Sequence, residues 1–186
     1  MKKLILIVGE LAAGKSTLAQ QIAARYGVLA VTKDRLKELL CDTFGYETRL
    51  ENLKLSFAAF DLMLHLFYRS AEAQTPLVLE SNFRQSELDR LKTAAEQCGY
   101  ETLTLSLGGD LHVLHQRFLE RIASGTRHTA HLAQDLTAFE DFKAISFSEN
   151  PRTLFGTILT LDTTKEGAPK DFSSDARIQA FLIDSE

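Results

Sequence analysis

Cysteine is scarce: Cys41 and Cys98 are the only two, far apart and in no C-x-x-C pair. Two cysteines build no disulfide framework, so a reducing cytoplasm with free thiols is the simple expectation. Proline is scarce too, limited to Pro76, Pro151 and Pro169, and no tract rich in glycine, proline or serine divides the chain. With no repeat or low-complexity segment either, one domain over residues 1–186 is expected. An excess of positive charge is missing: 21 Lys and Arg stand against 25 Asp and Glu, for a net charge of −4. That balance disfavours an extensive nucleic-acid surface, although it leaves room for a local basic pocket. Long apolar runs are also missing. Leu4–Val8, after Met1-Lys2-Lys3, is shorter than the ~7–15 apolar residues of a signal peptide. Nothing approaches the ~20 apolar residues needed to span a bilayer.

What is present is an ordinary globular mix, 45% hydrophobic and 25% charged over 186 residues. A chain of this size buries a core without staples. Strand and helix patterns alternate along it. Leu4–Val8 is a continuous apolar run, as in a strand buried on both faces. Lys15–Tyr26 has helical spacing and Gly27 stops it. Further strands are expected at 28–32, 77–79, 102–107 and 157–161, and further helices at 34–44, 50–73, from Ser86 to Cys98, after Asp110, and at 173–183. Ser86 with Asp89 reads as a loose capping box, and Asp110 as an N-cap. The alternation predicts an α/β fold: a five-stranded parallel sheet flanked by helices in three layers. Ligands of such sheets bind along the rim of C-terminal strand ends.

The most specific signal lies between the first strand and first helix. Gly9-Glu10-Leu11-Ala12-Ala13-Gly14-Lys15-Ser16-Thr17 fits G-x-x-x-x-G-K-[ST] at each defined position. Gly9 and Gly14 permit backbone angles and close approach that a side chain would block. The amides of the loop, Ala12 and Ala13 included, form an anion nest, to which the helix N-terminus adds N–H groups and its dipole. Lys15 can bridge the β- and γ-phosphates of ATP, and the Ser16 hydroxyl can reach Mg²⁺.

The stretch Gly9–Thr17 followed by Thr32-Lys33-Asp34-Arg35-Leu36-Lys37 resembles the P-loop kinases grouped with polynucleotide kinase, zeta toxin and chloramphenicol phosphotransferase. Many bacterial proteins described as AAA-type ATPases belong to the same set. The resemblance implies a P-loop NTPase fold with a lid at about 117–137, and transfer of a phosphoryl group from ATP to a hydroxyl of a small-molecule or nucleotide acceptor. Lys33, Asp34 and Lys37 match the basic–acidic pair and following base of polynucleotide kinase. On that match Asp34 is the general base; the other reading makes it a cap of the second helix. Leu77-Val78-Leu79-Glu80 has the form of a Walker B strand, which places Glu80 near Mg²⁺ or the acceptor, or simply at a polar strand end. Lys33, Arg35, Lys37, Asn82 and Arg84 are expected to line the acceptor side, and their charge suits an anionic or phosphate-bearing acceptor. Arg117, Arg121 and Arg127 fall in the lid. Arg121 and Arg127 are the candidates to neutralise the transferring phosphate, against solvated helix arginines as the alternative.

Other patterns stay open at this level. His128 and His131 form H-x-x-H, but no further ligands at metal spacing are evident. Asp162 is either a turn residue or a neighbour of the adenine. The phenylalanines of 50–73 suit core packing better than base stacking. No asparagine is followed by lysine, which argues against a GTPase, and the chain is short for a motor-type AAA core. Two classes remain: a kinase, monomeric or homodimeric, and an NTPase-type module whose hydrolysis drives a partner.

Overall fold

A computed structural model describes residues 2–125, 128–131 and 136–183. Five strands form one sheet: β1 (Lys3–Gly9), β2 (Leu29–Thr32), β3 (Leu77–Glu80), β4 (Glu101–Gly108) and β5 (Thr157–Asp162). Their order is β2-β3-β1-β4-β5, and each pairing is parallel. The helices are α1 (Lys15–Tyr26), α2 (Lys33–Phe44), α3 (Arg49–Ala73), α4 (Gln85–Cys98), α5 (Leu111–Ala123), α6 (Phe139–Ala144) and α7 (Ala176–Ile183).

The continuous apolar run of β1 is explained by burial on both faces. Leu4, Leu6 and Val8 pack toward Phe60, Met63 and Phe67 of α3 and Leu88 and Leu91 of α4. Ile5 and Ile7 point the other way, toward Leu18 and Ile22 of α1, Leu114 and Phe118 of α5 and Phe142 of α6. The phenylalanines at the middle of α3, Phe60 and Phe67, are thus core residues. Two buried aliphatic faces on one strand require a helix layer on each side, which gives the three layers.

The chain leaves β1 toward β3 and β2 on one side and toward β4 and β5 on the other. The rim above β1 is therefore the topological switch point, where α/β sheets open a crevice. Glu80 is in register with Ile7 of β1 and Thr32 of β2. The ends of β2, β3 and β1 consequently bring Asp34, Asn82 and the start of the phosphate loop to the same rim.

Local readings differ at three places. The helix expected from Ser86 begins at Gln85, and its N-terminal carboxylate is Glu87, whose Oε2 accepts from the Arg84 N–H at 3.0 Å. The short helix α6 was not expected. The final helix divides into a 3₁₀ turn at Phe172–Ser174 and α7, because the Asp171 carboxylate caps the turn through the Ser173 N–H at 2.8 Å. No helix among the described residues is long and apolar enough to cross a membrane.

Candidate active site

The phosphate loop starts where β1 runs out of room for side chains. Gly9 has φ of +124°, and a Cβ there would lie 1.9 Å from the Leu107 carbonyl oxygen. Only glycine fits. Ala12 has φ of +58° and Gly14 of +83°, so left-handed residues flank Ala13. Ala12 accepts a strain of about 1–2 kcal/mol for this conformation. The alternation is the backbone pattern of an anion nest. The amides of Gly14, Lys15, Ser16 and Thr17 donate to no acceptor among the described residues. They open the N-terminus of α1, where the dipole favours negative charge.

Lys15 is buried, and its ammonium donates to the carbonyls of Glu10 at 2.6 Å and Gly9 at 3.2 Å. Burial lowers its pKa, and the charges of Glu80, Asp34 and Glu10 oppose that fall. Glu80, at the buried end of β3, accepts from the Ser16 hydroxyl at 3.1 Å. Burial raises the Glu80 pKa, against the pull of Lys15, and Asp34 pushes it further up. Lys15, Glu80 and Asp34 therefore act on one another. The Ser16–Glu80 pair offers hard oxygen donors, the chemistry Mg²⁺ prefers, and Mg²⁺ needs few protein ligands because it keeps waters and phosphate oxygens.

Asp34 sits in the first turn of α2 and is exposed. Thr32 occupies the N-cap position, so Asp34 is not the cap of this helix. Its carboxylate accepts no hydrogen bond from the described residues. The remaining predicted residues are not equally placed. Asn82 is exposed at the rim. Lys37 donates to the Ala130 carbonyl at 2.9 Å. Arg84 lies over the Phe57 ring at 4.7 Å. Lys33, expected to face an acceptor, is buried, and its ammonium meets Glu87 Oε1 at 2.5 Å beneath the start of α4. Arg121 is exposed in the last turn of α5, close enough for its charge to lower the Lys15 pKa. Arg117 turns away, donating to the Thr163 carbonyl at 3.0 Å. Arg127 lies outside the described residues.

The H-x-x-H histidines are joined to α2. His128 Nε2 lies 2.9 Å from Asp42, and His131 Nε2 lies 2.9 Å from Glu38. Burial favours a raised Glu38 pKa, but hydrogen bonds from His131 and Arg35 outweigh it and hold the carboxyl below its usual range. Among the described residues no cluster of three or more His, Cys, Asp or Glu side chains could hold a metal. Asp162 closes a turn, accepting from Thr164 N–H at 2.9 Å and Thr164 Oγ1 at 2.8 Å.

Sequence reasoning missed the role of the Glu10 side chain. Glu10 is buried and accepts from the amides of Phe147 at 2.7 Å and Ser148 at 2.8 Å. These partners lie more than 130 positions away, and no local pattern announces them.

A family model described as an AAA domain matches residues 4–143. No curated protein matches the chain. Among solved structures, it is similar to a protein from Chloroflexus aurantiacus J-10-fl provisionally called a kinase. The two are 26% identical over 97% of this chain and 95% of that one, with a TM-score of 0.77. A shikimate kinase from Acinetobacter baumannii, in complex with shikimate, is 17% identical over 99% of this chain and 94% of that one, with a TM-score of 0.60. A sugar kinase from Janibacter sp. HTCC2649 is 13% identical over 89% and 88%, with a TM-score of 0.57. At those identities the last two establish a shared fold. The matched segment runs from β1 into α6 and carries the phosphate loop, and the chain belongs to the AAA domain family.

Proposed function

We propose that the chain is an ATP-dependent phosphotransferase that moves the γ-phosphate of ATP to a hydroxyl of a small-molecule or nucleotide-type acceptor. One observation carries this reading: the Asp34 carboxylate, neither the cap of α2 nor hydrogen-bonded to any described residue, stands on the rim near the buried Lys15 and Glu80 side chains and the open amides of Gly14–Thr17. A nucleotide-driven switch needs the amides and the lysine but has no use for a free carboxylate on the acceptor side. The narrower likeness to the polynucleotide kinase, zeta toxin and chloramphenicol phosphotransferase group belongs to the same proposal. So do the lid at about 117–137, a single domain over 1–186, monomer or homodimer assembly and a cytoplasmic setting.

In this reading Gly9, Ala12, Ala13, Gly14, Lys15, Ser16 and Thr17 cradle the triphosphate. Ser16 and Glu80 hold Mg²⁺, which neutralises charge on the phosphate oxygens. Lys37, Asn82 and Arg84 face the acceptor, while Lys33 serves that side by fixing Glu87 and the first turn of α4. Asp34 orients the acceptor hydroxyl and takes its proton. The hydroxyl oxygen bonds to the γ-phosphorus, the bond from that phosphorus to the β–γ bridging oxygen breaks, and ADP leaves with the electron pair. Lys15, Arg121 and Arg127 stabilise the charge that builds on the leaving oxygen.

The test is ADP release measured with ATP, Mg²⁺ and a panel of hydroxylated metabolites and nucleotides. Release stimulated by one acceptor class is expected. Basal hydrolysis that no acceptor changes would instead support the regulatory NTPase module.

A further inference from the structure

After α6 the chain crosses the rim of the sheet from one helix layer to the other before entering β5. Phe142 of α6 packs on the face of α1, whereas Phe147, Leu154 and Phe155 pack on the face of α3 and α4. The crossing segment is held at both ends. At one end the buried Glu10 carboxylate takes the amides of Phe147 and Ser148 at 2.7 and 2.8 Å. At the other, Thr153 N–H donates to Gln85 Oε1 at 2.8 Å, and Arg152 Nε donates to the Phe83 carbonyl at 3.2 Å.

Beneath this strap lies a pocket of about 190 Å³ bounded by Gly9, Leu11, Asn82, Phe83, Phe147 and Arg152. Its walls are mainly apolar, and its polar side chains are one cation and one amide. Among the described residues no carboxylate lines it. The Arg152 guanidinium lies 5.6 Å from the Phe147 ring centroid, and its Nη1 donates to the Asn150 carbonyl. Its Nη2 has no partner among the described residues. Asn82 likewise makes no hydrogen bond to them. An apolar cleft with a few convergent polar groups is the usual form of a small-ligand site. Here the groups select for charge: among the described residues the pocket presents one arginine with a free N–H edge and no acid, which favours an anion.

Size narrows the class. Pockets for drug-sized ligands enclose roughly 300–1,000 Å³, and this one is smaller, so it suits a metabolite of few carbons and not a nucleoside with its base. Position supplies the link to chemistry. Strand ends in a sheet are ~4.8 Å apart, and β3 stands between β2 and β1. Asn82 follows β3, so it lies between Asp34, beyond β2, and Gly9, at the end of β1.

We infer that this pocket is the acceptor site, and that its occupant is a small hydroxylated anion gripped by Arg152 at its charged end and Asn82 at a hydroxyl. The inference rests on the phosphotransferase reading and sharpens it. Arg152 and the strap are specificity-determining, and Glu10 is a positioning residue: its main-chain oxygen takes the Lys15 ammonium while its carboxylate fixes the pocket wall.

Two measurements test it. In the first, the full chain without nucleotide is titrated with D-glycerate and with glycerol 3-phosphate, glycerol serving as the uncharged control, while the Ile145 methyl signal beside the pocket is followed by NMR. Both anions are expected to shift it saturably and glycerol to leave it unmoved; the stronger anion reports whether carboxylate or phosphate is preferred. Arg152→Gln, which keeps a donor for the Phe83 carbonyl and removes the charge, should weaken anion binding at least about tenfold, as loss of a charge-assisted hydrogen bond does. Arg152→Lys should recover part of it. In the second, the same anions should alter ADP release at saturating ATP, and Arg152→Gln should abolish that response with the KM for ATP unchanged. Equal shifts from glycerol, absence of shifts, an anion response that survives Arg152→Gln, or a KM for ATP that moves with it would each overturn the assignment. ADP release stimulated by any member of the full panel of hydroxylated metabolites and nucleotides decides the parent reading separately, so the two failures are told apart.

Discussion

Asp34→Asn is expected to bind ATP·Mg²⁺ like the unaltered chain and to lose phosphoryl transfer by about 10²–10⁴-fold, the range a positioned general base supplies. The substitution keeps size and polarity. Asp34 is exposed and makes no hydrogen bond to the described residues, so the fold should scarcely register the change. Asparagine can still orient a hydroxyl but cannot accept its proton. Asp34 also acts at a distance: its charge raises the pKa values of both Lys15 and Glu80. Steady-state transfer and nucleotide titration, run on the same preparation, check both halves. Transfer that persists would remove Asp34 as the base, and lost ATP binding would make it part of the nucleotide cradle.

The largest effect on stability should come from Glu87→Gln. Lys33 and Glu87 are both almost wholly buried, with ammonium and carboxylate 2.5 Å apart. Burial lowers the Lys33 pKa, and Glu87 is the main influence holding it up. Removing one partner of a buried pair leaves a charge without compensation and costs about 3–5 kcal/mol. For a chain of this size that is a fall of roughly 6–20 °C in Tm. The pH dependence has a definite sign. The folded chain holds the Lys33 proton less tightly than the unfolded one, so above the lowered pKa the unfolded state binds more protons and stability rises with pH. The variant should thus recover part of its loss as pH rises from the lowered Lys33 pKa toward the ordinary lysine value of 10.5. Replacing both residues, Lys33→Met with Glu87→Met, should be far milder than either single change, because no charge is then stranded. Thermal unfolding of the singles and the double at two pH values checks this. A harmless Glu87→Gln would mean that the pair contributes little to holding α4.

How much could be read in advance followed from the range of each interaction. The sheet was legible because a strand buried on both faces must be a continuous apolar run, as Leu4–Val8 is. The helix Lys15–Tyr26 and its stop at Gly27 were legible for similar reasons, since caps and periodicity are local. The phosphate loop was legible because its glycines answer local backbone demands: Gly9 leaves no room for a Cβ, and Gly14 takes a left-handed φ of +83° that glycine adopts at little cost. The long-range pairings were not. Nothing near Lys33 in sequence foretells Glu87, 54 positions on, so its ammonium was expected to face a ligand. The strap over the rim depends on Glu10 reaching Phe147 and Ser148, and residues 145–153 carry no motif to mark them as a pocket wall. The histidines were visible only as a spacing. Their partners Asp42 and Glu38 became apparent once α2 was in place.

The account stands on the grip of the loop amides and Lys15 on a triphosphate. Calorimetric titration of ATP into the chain in magnesium buffer, with Lys15→Ala alongside, tests that grip most directly. The predicted result is saturable heat at one site per chain, weakened at least about tenfold by Lys15→Ala, as for other lost hydrogen bonds to charged groups. No heat of binding, or an affinity that Lys15→Ala leaves unchanged, would contradict it.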